Sequence, residues 1–367
     1  MSQSVKLLTL CAAMLFLFAC KNQTSQQPTY HATVAQDGSG AYTTVQSAID
    51  AAPDSLTSPW RIFVKNGSYQ EQVIVPEHKP FIHLIGQDKE ETIIHYALNV
   101  GGKPAEDETP EGKRFWEYSV HNPDGKVYKM EGSVVTINAS DFYSENISYI
   151  NDFGKEFQSG PQALAMKSLG DRIAFYNCKF ISFQDTWMTT RTDEHRHYAK
   201  DCYIEGAVDY IYASGDALFE HCTLYNVRRG SVIVAPCQKE DAKYGYVFRD
   251  CFVDGNEEAA DGNIKLGRPW HHSPKAVFIN TTMLVPIAEE GWTNMGTIPG
   301  LFAEYNSRDK EGNILDLSQR KTEYQGRDKG KEFGTSRATI TKEEAENYTY
   351  EHIIKATDGW DPRRFMP

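Results

Sequence analysis

The chain is short of positive charge. Lys and Arg total 38 against 50 Asp and Glu, a net charge of −12. That balance argues against sequence-independent nucleic-acid binding, which needs a basic surface to neutralise phosphates. Gly (27) and Pro (16) among 367 residues are too few for a collagenous or low-complexity chain. No Cys-x-x-Cys pair occurs, which argues against a thiolate zinc site. Long helical periodicity of Ala, Leu, Glu and Lys is scarce. The longest apolar run, residues 7–19, stops at 13 residues, too few to cross a bilayer core of about 30 Å as a helix. Aromatic residues are plentiful instead. Tyr (20), Phe (18) and Trp (6) often sit beside β-branched residues, the mix that suits pleated surfaces.

Lys6 precedes the apolar run, which ends Leu17-Phe18-Ala19-Cys20. The run fits the core of a secretory signal. Small residues before a Cys resemble the bacterial lipoprotein box, in which the Cys is lipidated and becomes the mature N-terminus. An ordinary signal peptide with a chance Cys is the alternative. The expected organisation is a signal over 1–19, a lipidated polar tether over 20–30 that begins at Cys20, and one folded body over 31–367 with no internal linker. Lys21 and Asn22 follow the Cys without an Asp, which by analogy with bacterial sorting favours the outer membrane or cell surface. A periplasmic or secreted protein is the alternative. The body then meets a membrane only through its lipid, and a monomer is expected.

Beyond Cys11 and Cys20, five cysteines remain, an odd number that cannot all pair. Four share a frame of polar residue, Cys, any residue, apolar residue: Asn177-Cys178, Asp201-Cys202, His221-Cys222 and Asp250-Cys251, spaced by 24, 20 and 29 residues. Asn146-Ile147 and Asn280-Thr281 fit the same frame. Short β-rich runs such as 173–176 and 232–234 repeat with it. A period of 20 to 30 residues built from short strands and turns marks a solenoid, whose stacked units share one core. The cysteines are then expected to form a reduced, buried ladder, since free Cys packs as a small hydrophobe. Val45, Ala48, Ile49 and Ala52 share one helical face, and a helix over 42–52 would cap the open end of the stack. Residues 60–64 and 71–75 read as strands around an Asn66-Gly67 turn. The long interruption 101–132 is expected to overhang a groove, and the polar segment 304–333 to run over the surface.

Asp185 follows Cys178 by seven residues, and Asp209 follows Cys202 by seven. Equal offsets in a stack put both carboxyl groups on one face of adjacent rungs, about 4.8 Å apart. Two carboxylates that close do not both ionise easily, so one becomes an acid while the other stays anionic. Arg268, in Leu266-Gly267-Arg268-Pro269-Trp270, would hold one of them charged. Trp270 offers a flat platform for a sugar, and Gln162 an amide donor.

These motifs together resemble the pectinesterase (pectin methylesterase) family. The similarity runs from about residue 35 to 302 and returns weakly at Asp358-Gly359-Trp360. It rests on Gly38-Ser39-Gly40-Ala41-Tyr42-Thr43-Thr44-Val45-Gln46, on Gly67-Ser68-Tyr69-Gln70-Glu71, and on Gln162-Ala163-Leu164-Ala165. It continues in Gly170-Asp171-Arg172 through Gln184-Asp185-Thr186, in Gly206-Ala207-Val208-Asp209-Tyr210-Ile211-Tyr212, and in the Arg268 motif. The resemblance implies an all-β fold, a single-stranded right-handed parallel β-helix with a long groove, acting on methyl-esterified homogalacturonan with no metal or other cofactor. It implies Asp209 as nucleophile, Asp185 as general acid/base, Gln162 and Gln184 as the oxyanion hole, and Arg268 as the group orienting Asp209. Trp270, Tyr212 and Val208 would line the sugar site.

The sequence also departs from the family. Ala213-Ser214 stand where Gly-Asn is common, and Trp187-Met188 where Leu-Tyr is common, and both pairs are expected at the groove, Trp187 with them as a substrate contact. These changes keep open an esterase or thioesterase acting on a non-pectic ester. A non-catalytic sugar-binding solenoid would not need two Asp and two Gln together. A pectate lyase would need calcium ligands and a basic catalytic group.

Overall fold

The computed structural model describes residues 29–100, 133–327, 333–356 and 358–367. The expected signal, most of the tether and the 101–132 interruption lie outside the described residues.

One circuit of the chain shows the plan. Ile173–Tyr176, Lys179–Ile181 and Trp187–Met188 are consecutive strands lying in three different sheets. Each instead pairs in parallel with its counterpart one circuit later: Arg196–Lys200, Tyr203–Gly206 and Val208–Ala213. Repetition builds sheets of ten, nine and seven strands wrapped around one core, a parallel β-helix. The strands expected at 60–64 and 71–75 are real, as Trp60–Val64 and Val73–Val75 with Gly67–Gln70 between them. They lie in three different sheets, so Asn66-Gly67 is a solenoid corner and not a hairpin turn.

The recurring polar-Cys frame is a corner of this coil. Asn146, Asn177, Asp201, His221, Asp250, Asn280 and Asn306 all have φ between +48° and +57°. Asn, Asp and His are the side chains most often found in that left-handed region. The corner side chains bond coil to coil: Asn177 donates to Asn146 at 2.7 Å, Asn280 to Asp250 at 2.9 Å and Asn306 to Asn280 at 2.8 Å. The next residue turns inward. Cys178, Cys202, Cys222 and Cys251 form the expected ladder of free, buried thiols, and burial pushes the first three well up. Deeper in the core, Phe219, Phe248 and Phe278 stack at 4.6 and 4.4 Å, close to the spacing of neighbouring strands.

Both ends of the stack are covered. The N-terminal helix is shorter than the 42–52 pattern: it spans Val45–Asp50, is capped by the Thr44 side chain, and buries Val45, Ala48 and Ile49. At the other end the described part of the 304–333 segment does not simply run over the surface. Glu304 is fully buried in the strand Leu301–Tyr305, and Arg320 returns to it with Nε 2.5 Å from Oε1. Tyr324 packs edge-on to Phe302. The last coil would otherwise leave its apolar interior open to water. The C-terminal stretch lies over the outside of the ten-stranded sheet, where Tyr350, Ile353 and Ile354 meet Tyr198, Val247 and Val277. Arg196 fastens it, donating to Asp358 at 2.8 and 2.5 Å beneath the Trp360 ring. Among the described residues no helix is long and apolar enough to cross a membrane.

Candidate active site

The seven-stranded sheet positions the chemistry. Gln162 precedes its strand Leu164–Ser168, Gln184 and Asp185 precede Trp187–Met188, Asp209 is the second residue of Val208–Ala213, and Arg268 follows Lys265–Gly267. Gln184 bridges in parallel to Val208, and the Asp185 N–H donates to the Val208 carbonyl at 2.9 Å. Asp185 and Asp209 are therefore register partners in adjacent coils, as the equal offsets require. Both take left-handed backbone, with φ of +61° and +49°. Against the following coil, one extra residue bulges between Val208 and Ile211. Bulges break the regular alternation and re-aim side chains, and here the bulge falls on Asp209.

Arg268 grips Asp209 with a fork, Nε to Oδ1 at 2.7 Å and Nη2 to Oδ2 at 2.6 Å. Among the described residues Asp185 has no such partner. Burial, and then the neighbouring Asp209 charge, push its carboxyl up to about 8, against the opposing pull of Arg268 and a hydrogen bond with Gln184. At neutral pH the site thus holds a neutral carboxylic acid stacked on an Arg-paired carboxylate, the arrangement that separates acid and nucleophile roles between two identical groups.

A cleft of about 340 Å³ opens beside this pair, lined by Gln162, Leu164, Asp185, Met188, Tyr212 and Trp270 among others. Tyr212 and Trp270 meet edge to face at 5.8 Å and form an apolar wall with a polar rim. Val208 is not part of the cleft lining; it packs with Phe183, Ala207 and Val227 on the flank of Asp209. Trp187 is a correction. It is completely buried, stacks on Phe180 at 4.5 Å, and donates its indole N–H to Ser168 at 2.8 Å. The groove position belongs to its neighbour Met188. The register explains this: Trp187 pairs with inward Ile211, and Met188 with outward Tyr212. Ala213 and Ser214 do line the cleft.

Motif reading missed Arg191, Cys237 and Lys239, which also line this cleft. Arg191 follows Trp187–Met188, while Cys237 and Lys239 follow Val232–Pro236 two coils on, and no recurring frame marks them. It also missed a hydrogen-bonded chain elsewhere: Ser68 Oγ lies 2.9 Å from His95 Nε2, and His95 Nδ1 lies 2.6 Å from Asp152 Oδ2. Its order matches a nucleophile, base and orienting acid. It lies apart from the cleft beside Asp185, and Asp152 opens the short helix Asp152–Phe157 that the contact ties to the preceding coil.

A parallel β-helix with a paired-carboxylate cleft on one sheet defines a class of solenoid suited to acid and nucleophile chemistry. Comparison with known proteins narrows the class. The pectinesterase family model matches residues 31–108 and 119–357. Pectinesterase 31 of Arabidopsis thaliana is 34% identical over 263 residues, covering 72% of this chain and 76% of that one. Among solved structures, the pectin methylesterase from carrot superposes with a TM-score of 0.74 at 22% identity, over 94% of this chain and 98% of the other. A pectin methylesterase variant in complex with a hexasaccharide gives 0.68 at 24% identity, over 92% and 99%. The chain belongs to the pectinesterase family, enzymes that hydrolyse the methyl esters of pectin.

Proposed function

We infer that Asp209 and Asp185 carry out this hydrolysis on the C6 methyl ester of galacturonate in homogalacturonan. One observation carries the assignment: the carboxyl group raised to about 8 is Asp185, and the carboxylate held in a guanidinium fork is Asp209. An Asp209 oxygen attacks the C6 carbonyl, and the tetrahedral oxyanion accepts hydrogen bonds from the Gln162 and Gln184 amides. Collapse breaks the C6–OCH3 bond, and Asp185 gives its proton to the departing oxygen, releasing methanol. The resulting acyl–Asp209 anhydride is opened by water, whose proton returns to Asp185 as the free uronate forms. Arg268 keeps Asp209 oriented throughout. Trp270 and Tyr212 seat the sugar ring, and Val208 shapes the flank. No step calls on a metal or other cofactor.

The test is Asp209→Ala. Methanol release from highly methylated pectin is expected to drop by at least about 10³-fold, the scale of losing a covalent nucleophile, while the circular-dichroism spectrum and melting temperature stay close to wild type. Undiminished turnover would remove Asp209 from the role. Running the assay with and without chelator checks the metal-free route.

The same reading extends to location. The chain is exported, cleaved after residue 19 and lipidated at Cys20, which places a monomeric catalytic body (31–367) at the outer membrane or cell surface on its 20–30 tether. The support is the charged-apolar-small-Cys order of residues 6–20. Incorporation of labelled palmitate into wild type but not into Cys20→Ala is the expected result; labelling of neither would leave an ordinary signal peptide.

A further inference from the structure

Ser68, His95 and Asp152 come one from each of three consecutive coils. The strands Gly67–Gln70, Thr92–Tyr96 and Ser148–Asn151 pair in parallel at one end of the nine-stranded sheet, whereas the Asp185–Asp209 cleft belongs to the seven-stranded sheet. Ser68 is the register partner of Ile93, and His95 stands two residues beyond Ile93. His95 is in turn the partner of Ile150, and Asp152 stands two residues beyond Ile150. Strand side chains alternate with period two, so Ser68, Gln70 and His95 share one outer face, and Asp152 reaches it from the start of the helix that follows. A carboxylate only accepts hydrogen bonds, so His95 donates from Nδ1 to Asp152 at 2.6 Å. That leaves Nε2 of the neutral ring to accept the Ser68 hydroxyl at 2.9 Å. Ser68 is exposed, while the side chains of His95 and Asp152 are only 20% and 23% exposed. A contact that merely held the helix could end at His95 and Asp152; Ser68 extends it to an open hydroxyl. Gln70 is also exposed, two residues past Ser68 and opposite His95, where its amide can donate to an oxyanion.

We propose that Ser68, His95 and Asp152 form a second hydrolytic centre, for short-chain acyl esters of alcohols, independent of the paired aspartates. The Ser68 hydroxyl attacks the acyl carbonyl as its proton passes to His95 Nε2, and the Gln70 amide donates to the oxyanion. Collapse breaks the bond between the acyl carbon and the alcohol oxygen, and that oxygen takes the proton from His95 and leaves as the alcohol. Water then gives a proton to Nε2 and attacks the acyl–Ser68 ester. Its collapse returns the proton to Ser68 Oγ and releases the carboxylic acid. Asp152 is a positioning residue that holds the ring with Nε2 toward Ser68. An exposed nucleophile on the outer face of a sheet leaves the alcohol side open to a large group, and a short acyl chain needs no burial of its own.

The experiment uses the full chain with Asp209→Ala in every sample, so that the paired-aspartate site is silent, and p-nitrophenyl acetate as the probe. Turnover is expected, and it is expected to fall at least about 10²-fold in Ser68→Ala and in His95→Gln, the lower end of what a positioned base contributes. Asp152→Asn is expected to lower kcat with KM unchanged, a split that a purely structural tie would not produce. p-Nitrophenyl octanoate should turn over more slowly than the acetate; equal rates would overturn the short-chain assignment. A fluorophosphonate probe, whose phosphorus bonds to Ser68 Oγ as fluoride leaves, is expected to label the peptide containing Ser68 and to fail in His95→Gln. With Asp209 restored, Ser68→Ala is expected to release methanol from pectin at the wild-type rate, so the two sites fail separately. Acetate turnover unchanged by Ser68→Ala, or no label on the Ser68 peptide, overturns the second centre and leaves the assignment of the paired aspartates standing.

Discussion

Arg268 closes both its Nε and Nη2 on the two oxygens of Asp209, a residue 59 positions earlier in the chain. The pair spans coils that sequence separation hides, and it fixes the plane of one carboxylate against the other. Asp209 is only 9% exposed at its side chain, so the partner cannot be replaced by water at small cost.

Arg268→Ala is therefore expected to destabilise the fold by about 3–5 kcal/mol, the cost of leaving a buried charge unpaired, and to remove most methanol release. Arg268→Lys keeps the charge but not the fork. It should recover much of the melting temperature while kcat stays on the order of 10²-fold down, a separation that a merely structural ion pair would not produce.

The Asp185 carboxyl, raised to about 8, sets the pH dependence. Its neutral form is the acid, so kcat/KM is expected to fall as pH rises through about 8. The same shift acts on stability. The folded value lies above the ordinary 3.8, so the contribution is fully present below 3.8 and is lost as pH rises to about 8. Asp185→Asn should abolish methanol release, match wild type in melting temperature near pH 4, and exceed it near pH 9. Equal melting temperatures at both pH values would mean that another group carries the shift.

Ala213 holds φ of +92°, in the region that favours glycine. The family commonly has Gly at this position. Ala213→Gly is expected to stabilise the protein by up to about 1 kcal/mol, since relief of left-handed strain outweighs the added chain entropy. Thermal melts of the two proteins decide it, and a lower melting temperature for the variant would show that no strain is held there.

Thr281 continues the cysteine ladder with a buried hydroxyl that has no hydrogen-bond partner among the described residues. Replacing it with the similarly shaped Val removes an unsatisfied polar atom. Thr281→Val should gain roughly 1 kcal/mol of stability with no change in methanol release. Loss of stability would point to a partner for the hydroxyl.

Trp187 shows how much could be read before folding. Counting from each aspartate, Trp187 and Ile211 both stand at plus two, and Met188 and Tyr212 at plus three. An alternating strand puts plus two and plus three on opposite faces, so the offsets that paired Asp185 with Asp209 already separated Trp187 from Tyr212. The aromatic character of Trp187 concealed this. Arg191 and Lys239 left no such trace, because they lie in turns of unequal length where no offset repeats. The 304–333 segment misled for a different reason: its composition is polar on average, and the few residues that seal the last coil, Glu304, Arg320 and Tyr324, are scattered through it.

The sequence alone determined the solenoid, the corner residues, the thiol ladder and the adjacency of the two aspartates, because each follows from a local frame repeated at near-constant offset. The tertiary structure alone decided which aspartate Arg268 holds, which is left to carry the proton, which neighbour of each motif faces the cleft, and how the ends are closed. Those outcomes depend on the bulge between Val208 and Ile211 and on contacts between coils that lie far apart in sequence. Side-chain direction and local field arise only when the coils are stacked.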